Sequence, residues 1–211
     1  MAKKRRGKFR PVSVADMRGV ETFETNDTLL LARGGVEEVA KAFAAQKRLK
    51  RWHRDALGKT IAVADPSYFV LRLTGHDWSM ITACVCNMAN FLRASEAKAL
   101  SKVLKGKVIF FGNSDTGSVT EYELFDAGKN LEHFRCFQDV EFTSSIRDDA
   151  PPEDGPEIYD FVDALVREQG AFAPACSIHF QSGWLTKGQK FTLAAQDEIL
   201  DESIERIDYL S

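Results

Sequence analysis

The sequence lacks the features that mark membrane proteins and secreted proteins. None of its apolar runs approaches the ~20 residues that a membrane-spanning helix requires. The N-terminus is basic, but no apolar segment of a secretory signal follows it. The 211 residues include four cysteines, whose spacing matches no disulfide framework. These absences predict a soluble protein of a reducing compartment, and we therefore expect a cytoplasmic location.

Motifs of common catalytic sites are also missing. The chain contains no H-E-x-x-H zinc motif, no C-x-x-C pair, no glycine-rich phosphate loop and no nucleophile elbow. Cys84 and Cys86 are two residues apart on a predicted strand, which places them on one face but not at zinc or redox spacing. We therefore expect no cofactor and no bound metal, and we interpret both cysteines as small buried residues.

The composition is that of a folded domain. The chain is 44% hydrophobic and 28% charged, and a compact chain of this length buries on the order of 70% of its unfolded surface. The order of apolar patterns predicts an α+β fold, in which three to four helices pack on a mostly antiparallel sheet. We predict one domain over residues 26–211, after a basic and poorly ordered arm over residues 1–25. The polar segment 144–156 is the place where that domain could be subdivided.

The stretch from Lys107 to Phe137 has the clearest pattern. Val108–Phe111 is an unbroken apolar run, as expected of a strand that is buried on both faces. Val119–Phe125 alternates between apolar and polar residues, Asp126–Lys129 has turn composition, and Leu131–Phe137 returns as a partner strand. This stretch predicts three consecutive antiparallel strands.

Four other segments show helical spacing. The apolar stripe that begins at Val36 changes side after Phe43, so this helix bends, ends near Gln46 or buries two faces. A second helix follows Ser95, and a third starts at Pro156. The spacing of Leu200, Ile204 and Ile207 predicts that residues 196–210 close the chain as a helix. Further strands are predicted over residues 28–32, 61–64, 68–73, 78–86, 177–181 and 191–194.

Charge is distributed unevenly along the chain, although the net charge is only −3. Bases are crowded over Lys3–Arg10 and again over Lys47–Arg54, where Trp52 and His53 stand among them. Acids are dense over residues 139–168 and 197–208. This asymmetry indicates an anionic partner or self-association of opposite ends, and the plainer interpretation is a solvated surface.

Two polar segments are candidate sites. His76 and Asp77 lie between two predicted strands, where an imidazole beside a carboxylate could act as a base, although a turn histidine bonded to the backbone is the commoner arrangement. The second segment follows the buried strand, at a place where loops often bind ligands. Its candidate binding residues are Asn113, Ser114, Asp115 and Thr116.

These observations support three hypotheses of function. The first is a non-enzymatic cytoplasmic module of the bacterial regulatory, immunity or adaptor type, which binds a protein partner through charged surfaces. The second is a nucleic-acid-binding protein that uses Lys3–Arg10 and Lys47–Arg54. The third is a small hydrolase-like enzyme in which His76, Asp77 and Asp115 converge, with Cys84 beside them. For either binding hypothesis, the candidate residues of the second basic stretch are Lys47, Arg48, Lys50, Arg51, Trp52 and Arg54.

Overall fold

The structure of the protein, a computed structural model, describes residues 27–84, 91–114, 117–137, 141–146, 155–172, 186–192 and 204–211. Strands and helices alternate irregularly along these residues. The helices are α1 (Val36–Lys47), α2 (Ala94–Leu104) and α3 (Gly155–Glu168). The strands are β1 (Asp27–Arg33), β2 (Trp52–His53), β3 (Thr60–Ala62), β4 (Tyr68–Leu73), β5 (Trp78–Ala83), β6 (Lys107–Ser114), β7 (Val119–Asp126), β8 (Lys129–Phe137), β9 (Glu141–Ser144), β10 (Lys190–Thr192) and β11 (Ile204–Leu210).

One large antiparallel sheet dominates the fold. It has nine strands in the order β2-β11-β4-β5-β1-β6-β7-β8-β9, and β3 pairs with β10 in a separate two-stranded sheet. Strands make up 44% of the structure, whereas the described residues contain three short helices. The predicted α+β fold, with three to four helices packed on the sheet, is therefore wrong. The protein has a sheet-dominated fold.

The last predicted helix is part of this error. Residues 204–210 form β11, which lies between β2 and β4 and pairs with both of them. Residues 207–210 are all buried, because the strand is covered on both faces and therefore lacks the polar–apolar alternation by which a strand is recognised. Pairing with distant strands thus overrides the helical spacing of Ile204 and Ile207. Residues 196–203 lie outside the described residues.

The three central strands were predicted correctly. β6, β7 and β8 are consecutive and antiparallel, although β6 continues through Gly112 to Ser114 rather than ending at the glycine. The turn between β7 and β8 consists of Ala127 and Gly128, with φ angles of 47° and 85°. Two successive residues with positive φ are typical of the type I′ turn, whose twist suits an antiparallel hairpin.

The sheet separates two hydrophobic layers. One face of the sheet packs against α1 and α2, and we call it the helix-pair face; Phe110 and Phe125 belong to it. The opposite face packs against α3 and the two-stranded sheet, and it includes Phe111 and Tyr122. None of the helices in the described ranges has the length and apolar character needed to cross a membrane.

Most of the other predicted elements are found in the described residues. α1 ends at Lys47, in agreement with the alternative in which the helix ends near Gln46. α3 buries Ile158, Val162, Leu165 and Val166, as its apolar stripe predicts. β1, β3, β4, β5 and β10 correspond to predicted strands. The predicted arm over residues 1–25, the predicted strand over residues 177–181 and most of the segment 144–156 lie outside the described residues.

Candidate binding surface

The basic stretch Lys47–Arg54 begins where α1 ends. Arg48 takes a left-handed conformation, with φ 58° and ψ 35°, and its N–H closes the helix on the carbonyl groups of the last turn. The backbone N–H groups of Lys50 and Arg51 donate to the carbonyl oxygen of Ser211 at 2.9 and 2.7 Å. Trp52 and His53 then pair with β11. The backbone of this stretch is thus fixed to the sheet.

Lys47 connects the two helices of the helix-pair face. Its Nζ forms an ion pair with Glu96 of α2 and lies 4.9 Å from the ring centroid of Tyr68. Burial lowers the pKa of Lys47, but the opposing effects of Glu96 and Tyr68 outweigh it, so that the pKa is raised. The amide of Gln46 also donates to the Glu96 carbonyl oxygen at 3.1 Å. Lys47 is therefore a structural residue rather than a free cation.

Asp208 of β11 organises the end of the basic stretch. Its side chain is fully buried and accepts a hydrogen bond from Trp52 Nε1 at 2.7 Å and from the backbone N–H of Asp55 at 2.9 Å. The guanidinium group of Arg206 donates to both carboxylate oxygens at 2.8 Å. This pairing outweighs burial and raises the pKa of Arg206. These hydrogen bonds and the ion pair with Arg206 offset the free-energy cost of burying the charged carboxylate of Asp208.

Arg54 also has partners within the protein. Its guanidinium carbon lies 4.3 Å from the ring centroid of Trp52, a cation–π distance. It forms an ion pair with Glu37 at 3.3 Å, and Glu37 pairs with Arg206 at 3.1 Å. Three of the predicted binding residues, Lys47, Trp52 and Arg54, are thus engaged in contacts inside the molecule.

The remaining bases of the stretch are exposed. Arg48, Lys50 and Arg51 form no ion pair within the described part of the chain. The outer sides of α1 and α2 add further exposed bases that also lack an ion pair among the described residues. We call this set the basic face; it comprises Lys41, Arg48, Lys50, Arg51, Arg93, Lys98, Lys102 and Lys105.

The contribution of α2 was missed from the sequence. Lys98, Lys102 and Lys105 recur at intervals of four and three residues, a spacing that places bases on one side of a helix. In the structure Lys98 and Lys102 lie on α2, and Lys105 is the left-handed residue that follows its end. That spacing was visible in the sequence, but it indicates a surface only when α2 is known to lie beside α1. The packing of both helices on one side of the sheet supplies this information.

The two predicted polar sites lie at opposite ends of the sheet. Asp27 at the start of β1 is opposite Asn113, whereas Arg33 at its end is opposite Trp78, which follows the turn that contains His76 and Asp77. The length of β1, roughly 20 Å at about 3.3 Å per residue, separates the two sites. Asn113 is buried and accepts a hydrogen bond from Thr120 Oγ1 at 3.4 Å. Ser114 ends β6, and Asp115 and Thr116 lie outside the described residues.

His76 stands at the mouth of a small cleft. The cleft has a volume of about 230 Å³ including its open mouth, and its interior admits on the order of one water molecule. Ligand pockets are usually larger, at about 300–1,000 Å³. Burial lowers the pKa of His76, and the nearby charge of Asp77 opposes this effect. The lining residues are Leu71, Leu73, His76, Trp78, Met80 and Phe172.

The lowered pKa of His76 predicts a pH-dependent stability. Below the unfolded-state pKa of about 6.5, the unfolded chain binds a proton that the folded protein binds only at lower pH, so stability falls as the pH drops through this value. The melting temperature should therefore fall less between pH 7 and pH 5 in His76→Phe than in the wild-type protein. Met80→Leu alters the same cleft without removing a titratable group and should keep the wild-type dependence. Parallel curves for His76→Phe and wild type would refute the assignment.

Metal ligands do not cluster in the described ranges. No group of three or more His, Cys, Asp or Glu side chains among these residues is arranged to hold a metal ion. Cys84 and Cys136 are buried thiols.

In comparisons with known proteins, the chain matches no family model, no curated protein and no solved structure.

Proposed function

We propose that this protein is a non-enzymatic interaction module that binds an acidic protein partner through its basic face. The observation that carries the proposal is the number of exposed bases on and beside α1 and α2 that form no ion pair with a described residue. Lys41, Lys98 and Lys102 lie on the two helices, and Arg48, Lys50 and Arg51 follow α1. Exposed positive charge that is held on a rigid layer attracts partners of the opposite charge.

The surface is suited to a protein partner because it also contains an apolar side chain. Val103 of α2 is 62% exposed and stands in the sequence between Lys102 and Lys105. Protein interfaces combine apolar contacts at their centre with charged residues at their rim. A regulatory, immunity or adaptor role in a bacterial cytoplasm is consistent with such a surface. The His76 cleft, which admits on the order of one water molecule, gives less support to a hydrolytic role.

Reversal of three charges tests the proposal. In Arg48→Glu/Lys50→Glu/Arg51→Glu, binding of a fluorescently labelled polyglutamate peptide should weaken by about threefold to 150-fold, since loss of three exposed pairs at about 0.2–1 kcal/mol each amounts to about 0.6–3 kcal/mol. Fluorescence anisotropy at low salt measures this change. Lys187→Glu/Lys190→Glu reverses two exposed bases, one on β10 and one in the turn before it, and serves as the control. Equal weakening in both variants, or none in the triple variant, would refute a role for the basic face.

Nucleic acid is the second candidate partner. The row formed by Lys98, Lys102 and Lys105 favours it, because successive bases on one side of a helix can follow a phosphate backbone. In that case, a DNA duplex or single-stranded RNA would bind more tightly than the polyglutamate peptide. The affinity would then fall steeply between 50 and 200 mM salt, as counterion release requires. Absence of binding to either nucleic acid at low salt would eliminate this candidate.

A further inference from the structure

The helix pair covers only part of its face of the sheet. α2 packs against β6 and β7 and reaches only the beginning of β8. Beyond α2, the side chains of β7 and β8 that share a face with the buried Phe125 are half-buried or exposed. They include Glu121, Glu123, His133 and Arg135. No described element covers them, so α2 forms a wall beside an open floor of sheet, and we call this arrangement the α2–β8 shelf.

The wall is fixed to the floor by close contacts. The backbone N–H of Gly128 donates to Ser101 Oγ at 3.0 Å, and that of Ala127 donates to the Gly106 carbonyl oxygen at 3.3 Å. A Cβ atom on Gly128 would lie 3.1 Å from Cβ of Lys102, so α2 approaches the turn closely. The shelf is therefore a preformed feature, which reduces the cost of ordering on binding.

The unpaired charge of the shelf is positive. Lys98 and Lys102 of the wall form no ion pair among the described residues. The carboxylates of the floor already have partners, because Glu121 pairs with Arg135 at 2.9 Å and Glu123 accepts a hydrogen bond from Asn130 at 2.6 Å. Burial raises the pKa of Glu123 and the charge of Lys98 opposes this effect, so Lys98 already acts on the floor. A docked acid would therefore pair chiefly with Lys102 and share Lys98 with Glu123.

The floor also offers an apolar contact. Leu131 is 48% exposed, and the register shift between β7 and β8 leaves it opposite no residue of β7. It follows Asn130, which contacts Glu123 on the open floor. A half-exposed leucine beside exposed lysines favours a partner that carries both a large apolar side chain and acids.

We infer that the α2–β8 shelf docks an acidic segment of a partner protein, with one large apolar side chain of that segment against Leu131 and its carboxylates on Lys98 and Lys102. This inference rests on the proposed function and names the part of the basic face that determines specificity. Charge alone would attract many anions, whereas the apolar contact selects among them. The partner segment is therefore both acidic and amphipathic.

Two labelled peptides test the inference. One repeats Glu and Leu, and the other repeats Glu and Ser at the same length and charge. By fluorescence anisotropy, the wild-type protein should bind the Glu–Leu peptide about fivefold to tenfold more tightly, because burial of apolar surface adds to the ionic contacts. Leu131→Asp should abolish this preference, and Lys98→Glu/Lys102→Glu should weaken binding of both peptides.

The controls separate failure of the inference from failure of the proposed function. Lys187→Glu/Lys190→Glu, which lies away from α2 and β8, should leave the peptide preference unchanged. Equal affinity for the two peptides, still lost in the Arg48/Lys50/Arg51 triple variant, would overturn the inference alone. Absence of binding to either peptide would overturn the proposed function as well.

Three other occupants of the shelf would give different experimental results. If a second copy of the chain docks there, Leu131→Asp should halve the mass of the free protein in light scattering. If a segment of the same chain docks there, the variant should lower the melting temperature by several degrees without a change of mass. Tighter binding of a DNA duplex than of either peptide would assign the shelf to nucleic acid. Each of these results would overturn the inference.

Discussion

Replacement of Phe111 by alanine should lower the free energy of unfolding by about 3–5 kcal/mol. Phe111 has no exposed surface and lies on β6, opposite Leu29 of β1 and Tyr122 of β7. Its ring belongs to the cluster that includes α3, so truncation would leave a cavity bounded by rigid strands. Urea denaturation monitored by circular dichroism measures the change.

Phe110 and Val103 provide the controls for this prediction. Phe110 is the next residue on β6 and packs on the helix-pair face, so Phe110→Ala should have a cost of the same size. Val103→Ala, at an exposed position of α2, should change stability by about 0.5 kcal/mol or less. A loss below about 1 kcal/mol at both phenylalanines would contradict a sheet that is buried on both faces.

The second large effect is expected at Asp208, where Asp208→Asn should destabilise the protein by about 3–5 kcal/mol. The carboxylate accepts hydrogen bonds from Trp52, from the backbone of Asp55 and from Arg206. An amide of the same shape has only one acceptor oxygen, and its NH₂ group would face donors. Arg206 would then keep only its partly exposed contact with Glu37.

A neighbouring ion pair is the matched control for Asp208. Glu205 precedes Arg206 and pairs with Arg72, but its side chain is partly exposed. Glu205→Gln should therefore cost about 0–1 kcal/mol, as is usual for solvated pairs. Chemical denaturation of both variants gives the comparison. If both variants lost a similar amount of unfolding free energy, burial would not make the contacts of Asp208 stronger than those of a solvated pair.

The parts of the fold that could be predicted from the sequence depend on local patterns. Val108–Phe111 is a continuous apolar run, and Gly128 supplies one of the two positive φ angles of the turn between β7 and β8. The helix from Gly155 to Glu168 carries an unambiguous apolar stripe. In each of these elements, the residues that determine the structure are neighbours in the chain.

Elements that depend on distant partners were not predicted. Ile204 and Ile207 fit a helix equally well, and only the position of β11 between β2 and β4 decides the outcome. Of the groups that donate to the buried Asp208, only Arg206 is a neighbour in the chain, whereas Trp52 and Asp55 lie more than 150 residues earlier. The fold class was wrong for the same reason, since pairing between distant segments converts a predicted helix into sheet.

The candidate surface was predicted only in part. The bases of Lys47–Arg54 were recognised from composition, but composition does not show that Lys47 pairs with Glu96 or that Arg54 pairs with Glu37. It also does not show that the lysines of α2 lie on the same side of the sheet as α1. Whether a base can contact a partner depends on which residues surround it in the fold. For the basic face, those neighbours are determined by the packing of α1 and α2 on one face of the sheet.

The position of β11 has a consequence for synthesis on the ribosome. The Tyr209 hydroxyl accepts a hydrogen bond from the backbone of Ala64, which lies 145 residues earlier. Until β11 has been translated, the edge of β4 that it covers has no strand to pair with, and a bare apolar edge readily joins a second nascent chain. We therefore expect the chain to need protection by chaperones during translation, and strand closure at β11 to be a late event in folding.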